Sequence, residues 1–204
     1  MLAELSEADA TGDVANIYAE IRQTCAVPYV SSLQRHLATR PGWLEWAWHA
    51  IRPAFINGWA QEAAWSAAAT LQVPGLPPLS ASALRVFGVD EAGVEQLRTV
   101  CETFVRVSPT NLMFSALTRV QLARASTSRP KPIEAPSWQP PVPLPPLPAP
   151  VDFESLDAAT AKTLMQLGNQ VAGESFVPGI YRMLANWPQY MAHVATVLGP
   201  HFED

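Results

Sequence analysis

Ten of the chain's twenty prolines lie between Pro130 and Pro150, in the stretch RPKPIEAPSWQPPVPLPPLPAP. Each proline fixes φ and removes a backbone donor, so such density excludes helix and internal strand and favours extended polyproline II. At ~3.1 Å per residue the stretch can span roughly 60 Å as a semi-rigid spacer. The chain must therefore fold on either side of it. The expected division is a first helical unit over 1–127, a proline-rich linker over 128–152 and a second, partial helical unit over 153–204. The P-x-x-P patterns within the linker also fit an aromatic groove of a partner protein, but a strap within one protein is the simpler reading.

The flanking segments have helical periodicity. Val14, Ile17, Tyr18 and Ile21 form an i, i+3, i+4, i+7 stripe over Val14 to Thr24. Further helices are expected from Gly42 to about Gly58, Gln61 to Gln72, Ser80 to Phe87, and Asp90 to about Val107. Pro53 should kink or split the second of these five, and Pro109 should open a separate helix running to Ala125. Beyond the linker, Leu156 to Val171, Pro178 to Ala185 and Pro188 to about Leu198 read as three more. No segment alternates cleanly enough to be a strand, so the fold class is all-α.

The part after the linker repeats the part before it. LATRPGWLEWAWHAIRPAF (37–55) aligns with LANWPQYMAHVATVLGPHF (184–202) at a constant offset of 147 (184 − 37). Leu37/Leu184, Ala38/Ala185, Pro41/Pro188, Pro53/Pro200 and Phe55/Phe202 are identical, and Trp43 faces Tyr190. Val27-Pro28 matches Val177-Pro178 if three residues are dropped. The expectation is a pseudo-dimer of related helical units, the second shortened, since nothing after it corresponds to 61–125. A shortened unit leaves apolar surface uncovered, which predicts a homo-oligomer.

Apolar residues make up 49% of the chain and charged residues 15%, with a net charge of −5 and no Lys/Arg block. That composition argues against nucleic acid. No run is long and apolar enough for a membrane span. The acidic start, Met1 to Asp13, does not read as a signal peptide. Cys25 and Cys101 form no C-x-x-C pair and are expected to be buried thiols in a reducing, cytoplasmic setting.

Three segments, IYAEIRQTCAVPYV, LATRPGWLEWAW and MLANWPQYM, resemble the group I 2-haloacid dehalogenase family, and the likeness covers nearly the whole chain. The resemblance implies two related helical bundles with a site between them. It implies hydrolysis of short 2-halocarboxylic acids by direct water attack at C2, with no metal or organic cofactor. A carboxylate base activates the water, an asparagine helps hold it, and aromatic side chains line the pocket. Carried over residue by residue, the aromatic after Val-Pro is Tyr29, and the pocket position three further on is Ser32. The asparagine position is Ser108, with Asn111 close by as an alternative. The aspartate position is Ile180, beside Gly179. Isoleucine accepts no proton, and losing a general base typically costs ~10²–10⁴-fold in rate. Glu174 is the nearest carboxylate in sequence, and no Asp or Glu occurs between Ser175 and Pro200.

Other groupings are weaker. Trp43, Trp46 and Trp48 suggest either an aromatic box or ordinary packing. Arg35, Arg40, Arg52 and Arg106 can bind a substrate carboxylate or form surface ion pairs. His201 stands near Glu203 and Asp204 at the terminus. No H-E-x-x-H, G-x-S-x-G, phosphate loop or dinucleotide fingerprint is present. Two functions stay open: a hydrolase of small 2-haloacids, or a relative that binds small carboxylic acids or acts as a scaffold without catalysis.

Overall fold

The structure is a computed structural model that describes residues 2–73, 75–123, 138–171 and 173–201. Its elements are α1 (Gly12–Cys25), α2 (Ser32–Leu37), α3 (Trp43–Ile56), α4 (Trp59–Ala69), α5 (Ala81–Val86), α6 (Glu91–Ala123), α7 (Ala158–Gln166), β1 (Asn169–Val171), β2 (Glu174–Phe176), α8 (Gly179–Leu184) and α9 (Pro188–Leu198). Short 3₁₀ turns occur at Phe153–Ser155 and Gly199–His201. Among the described residues the fold is all-α apart from one hairpin of two three-residue strands.

Two compact units are present, and each is assembled from separated stretches of chain. Among the described residues, the larger unit contains 3–73, 103–123 and 138–145. The smaller contains residue 2, 75–102, 146–171 and 173–201.

In the larger unit, α3 supplies the organising face. Leu44, Ala47, Trp48, Ile51 and Phe55 recur at helical spacing and are all buried. Trp48 stacks on Phe114 at 6.4 Å, and Phe55 lies 5.5 Å from Trp48 and 6.3 Å from Phe114. Tyr18 and Ile21 of α1, Val30, and Val107 of α6 complete this core. Gln61, fully buried, donates to the carbonyls of Thr24 and Phe55 and so ties α4 to the ends of α1 and α3. Of the two readings of the tryptophan cluster, packing fits better than a box. Trp48 points inward and donates to Glu20, whereas Trp43 and Trp46 face outward.

Pro53 lies inside its helix as expected but does not split it, and Pro109 does not open a separate helix. Pro53 lies in the last turn of α3, where it removes a single ladder bond and the helix ends three residues later. Pro109 sits inside the 33-residue α6. The bond it removes would run to the Val105 carbonyl, and Val105 is on the exposed side of the helix. Buried Val107, Thr110 and Phe114 hold the helix in place on both sides of the proline, and Thr110 donates its hydroxyl to Val107 O at 2.8 Å. Tertiary packing therefore overrides the local penalty.

In the smaller unit, Val89, Leu97, Leu164, Leu167, Val177, Leu184, Trp187 and Met191 form the core. Asp157 caps α7 by accepting from Ala159 N and Thr160 N. The helix expected through Val171 instead stops at Gln166, and the chain turns into the β1–β2 hairpin, with Asn169 opposite Phe176 and Val171 opposite Glu174. Gly168 explains the change. A Cβ there would stand 2.9 Å from the Phe176 carbonyl oxygen, so only glycine allows this approach.

Residues 138–150 of the proline-rich stretch contain no helix or strand, as expected, and 128–137 lie outside the described residues. Arg106 donates to Val142 O at 2.7 Å and to Ala26 O at 3.1 Å. Trp138 covers Gly58, whose φ is +78°. A Gly58→Ala variant should therefore lose about 1–3 kcal/mol, through both the left-handed backbone and overlap with the Trp138 ring. Its urea midpoint should fall, and a midpoint equal to the native one would show that Trp138 does not pack there.

Candidate functional site

The structure places Tyr29 and Asn111 together in the larger unit. Tyr29 follows α1 in the Val27-Pro28 turn, and its ring packs 5.9 Å from Phe104. Asn111 lies in the part of α6 that crosses the same core. Both line a small cavity with Ser31, Gln34, Trp48 and Phe114. The cavity measures about 10 Å³, room for roughly one water molecule.

Gln34, which sequence reasoning missed, orders this cavity. Its amide Nε2 donates to Asn111 Oδ1 at 3.3 Å, and Ser31 donates to its Oε1. No local pattern marks such a residue, because its partner lies 77 positions away. None of the residues lining the cavity is a carboxylate, an imidazole or a cation. Burial pushes the Tyr29 hydroxyl far above its ordinary value, with the Arg35 guanidinium opposing the shift. Burial also pushes the Cys25 thiol up to about 12, so it stays protonated and is a poor nucleophile.

The remaining predicted residues are not in this cavity. Ser32 opens α2 and is buried, with its hydroxyl 3.4 Å from Arg35 Nη2. Ser108 is exposed on α6. Gly179 and Ile180 form the first turn of α8 in the smaller unit, both partly buried. Glu174 is exposed in β2 and held by the hairpin.

Of the arginines, Arg52 forks onto the Glu20 carboxylate at 2.5–3.0 Å, and its hydrogen bonds hold that carboxyl below its ordinary value. Arg40 lies over the Trp43 ring at 5.1 Å, and Arg106 binds backbone carbonyls. Arg35 pairs with Glu4 at 2.7 Å. Cys25 is buried as expected, but Cys101 is exposed on α6, contrary to expectation. Among the described residues no group of three His, Cys, Asp or Glu side chains can hold a metal ion, and no helix is long and apolar enough to cross a membrane. Glu203 and Asp204, which would join His201, lie outside the described residues, as does Phe202 of the internal repeat.

The smaller unit has a more open, largely apolar cavity of about 600 Å³ between the 76–79 segment and α9, with Tyr190 and His193 on its wall. None of the predicted site residues lines it.

No family model matches the chain. A 2-haloacid dehalogenase described as configuration-inverting, from Alcaligenes xylosoxydans xylosoxydans, is 32% identical over 209 residues, covering 97% of this chain and 68% of that protein. Among solved structures, a D-2-haloacid dehalogenase mutant in complex with D-2-CPA superposes with a TM-score of 0.75 at 17% identity, covering all of this chain and 72% of the other. The D-2-haloacid dehalogenase complex with L-LA superposes at 0.74 and 18% identity with the same coverage. At such identities the structural likeness establishes the fold.

Proposed function

Because the chain belongs to the 2-haloacid dehalogenase family, we propose that it is a member that binds small carboxylic acids without hydrolysing their carbon–halogen bond. One observation carries this reading: no carboxylate or imidazole lines the small cavity shared by Tyr29 and Asn111. The resemblance puts the aspartate at Ile180, which accepts no proton. Glu174 is a poor replacement, because it is exposed and its backbone is paired across the hairpin with Val171. What supports recognition is the aromatic kept at 29 and the amide of Asn111, held by Gln34 on the wall of the same cavity.

The same reading treats 1–127 and 153–204 as the products of a duplication joined by the 128–152 linker. It also has the chain self-associate in the cytoplasm. The outward-facing Trp43, Trp46 and Trp59 on α3 and α4 support self-association, and two unpaired cysteines fit a reducing compartment.

Purified protein should release no chloride from racemic 2-chloropropionate above the uncatalysed rate, yet should bind it saturably in a calorimetric titration. Steady chloride release by the native chain would overturn this reading and restore the alternative of an active hydrolase, with Glu174 the first residue to replace.

A further inference from the structure

An acid entering beside Tyr29 finds no cation on the cavity wall, so its charge must be met from nearby. Arg35 is the group placed to do this. Helix α2 sets Ser32 and Arg35 on adjacent turns of one face, with Nη2 3.4 Å from Ser32 Oγ. The guanidinium is close enough to Tyr29 to act on its hydroxyl. It is mostly withdrawn from water, with a side-chain exposure of 20%, and its present counter-ion is Glu4, at 15% exposure and 2.7 Å from Nη2.

Arg35 Nε is buried and has no hydrogen-bond partner. A guanidinium receives a carboxylate best with two parallel donors, commonly Nε together with one Nη. The Glu4 pair is made at Nη2, which leaves the Nε donor unused. A buried charged donor without an acceptor is unfavourable, so a carboxylate that engaged both nitrogens would relieve it.

We propose that Arg35 is the residue that binds the ligand's carboxylate, and that Glu4 is an internal stand-in which the ligand displaces. The proposal rests on the reading of the chain as an acid-binding protein. The exchange moves the Glu4 carboxylate off Nη2 and opens the one-water cavity beside Tyr29 to the ligand. The 3–5 segment is held by its backbone, with Leu5 N donating to Arg35 O at 3.0 Å, Tyr18 donating its hydroxyl to Leu5 O at 3.1 Å, and Ala3 O 2.8 Å from His36 Nδ1. The ligand class is therefore a short monocarboxylate, with its acid group at Arg35 and Ser32 and its small apolar part beside Tyr29.

Calorimetric titration of the full-length native, Glu4→Gln and Arg35→Lys proteins with racemic 2-chloropropionate and with 2-chloropropionamide tests this. Glu4→Gln removes the competing charge and should tighten acid binding about tenfold while leaving the amide unchanged. Arg35→Lys keeps a charge but loses the planar two-donor edge, and should weaken acid binding about tenfold or more. Acid affinity that is the same in native and Glu4→Gln protein would overturn the proposal even if Arg35→Lys fails to fold, and would leave the acid-binding reading standing. Absence of acid binding in all three proteins would overturn both.

Discussion

Replacing Ile180 with aspartate is expected to raise chloride release from 2-chloropropionate by about 10² or more over the native chain. General bases contribute roughly 10²–10⁴-fold when correctly placed, and position 180 is where the family resemblance puts one. The site has suitable local structure: Ile180 occupies the first turn of α8, and only part of its side chain reaches solvent. A carboxylate there would gain from the unpaired N–H groups of the helix start. Chloride release that remains at background in the variant, with acid binding intact, would mean that the substitution at 108 also matters. Ser108 is exposed on α6, and a Ser108→Asn change added to Ile180→Asp would then separate the two losses.

The largest loss of stability is expected from Phe55→Ala. Phe55 is buried at 1% exposure and contacts both Trp48 and Phe114. Truncating such a side chain typically costs about 3–5 kcal/mol, from lost transfer energy and the cavity left behind. Domains of this size are stable by only ~5–15 kcal/mol, so the variant should lose from about a fifth to all of its stability. Urea denaturation followed by tryptophan fluorescence measures this, and a loss under about 1 kcal/mol would show that the core is not packed around this ring. The fall should exceed that of Gly58→Ala, which disturbs the rim of the same unit rather than its centre.

The sequence revealed most where a single helix buries a single face. The stripe of Val14, Ile17, Tyr18 and Ile21 reappears as α1, and Pro188 does open α9. It misled where prolines stood for boundaries. Pro109 is inside α6 rather than at a helix start, and Pro53 does not split α3, because buried neighbours outweigh one missing hydrogen bond. It missed the hairpin, because the need for glycine at 168 comes from a carbonyl eight residues ahead.

Legibility of the site divides in the same way. Tyr29 came from the family likeness and Asn111 from its nearness to the asparagine position at Ser108, and both line one small cavity. Gln34 and the Arg35–Glu4 pair were not recognisable in those roles, since each depends on a contact that no local pattern encodes. Arg35 was one of four arginines of equal standing; all four are engaged, by Glu4, Glu20, Trp43 or backbone carbonyls, and what sets Arg35 apart is its buried, unused Nε.

The interleaving of the two compact units along the chain also bears on synthesis. The ribosome delivers 75–102 early, but the core into which Val89 and Leu97 pack is completed by Leu164, Leu184 and Met191. Val89 must wait for roughly 75 further residues to reach Leu164, which at about 5–20 residues per second is on the order of 4–15 s. During that interval α5 and the start of α6 have no core of their own. The larger unit can complete its helical core once 103–123 has emerged. The nascent chain should therefore acquire protease resistance in two steps, with 75–102 the last early-made segment to gain it.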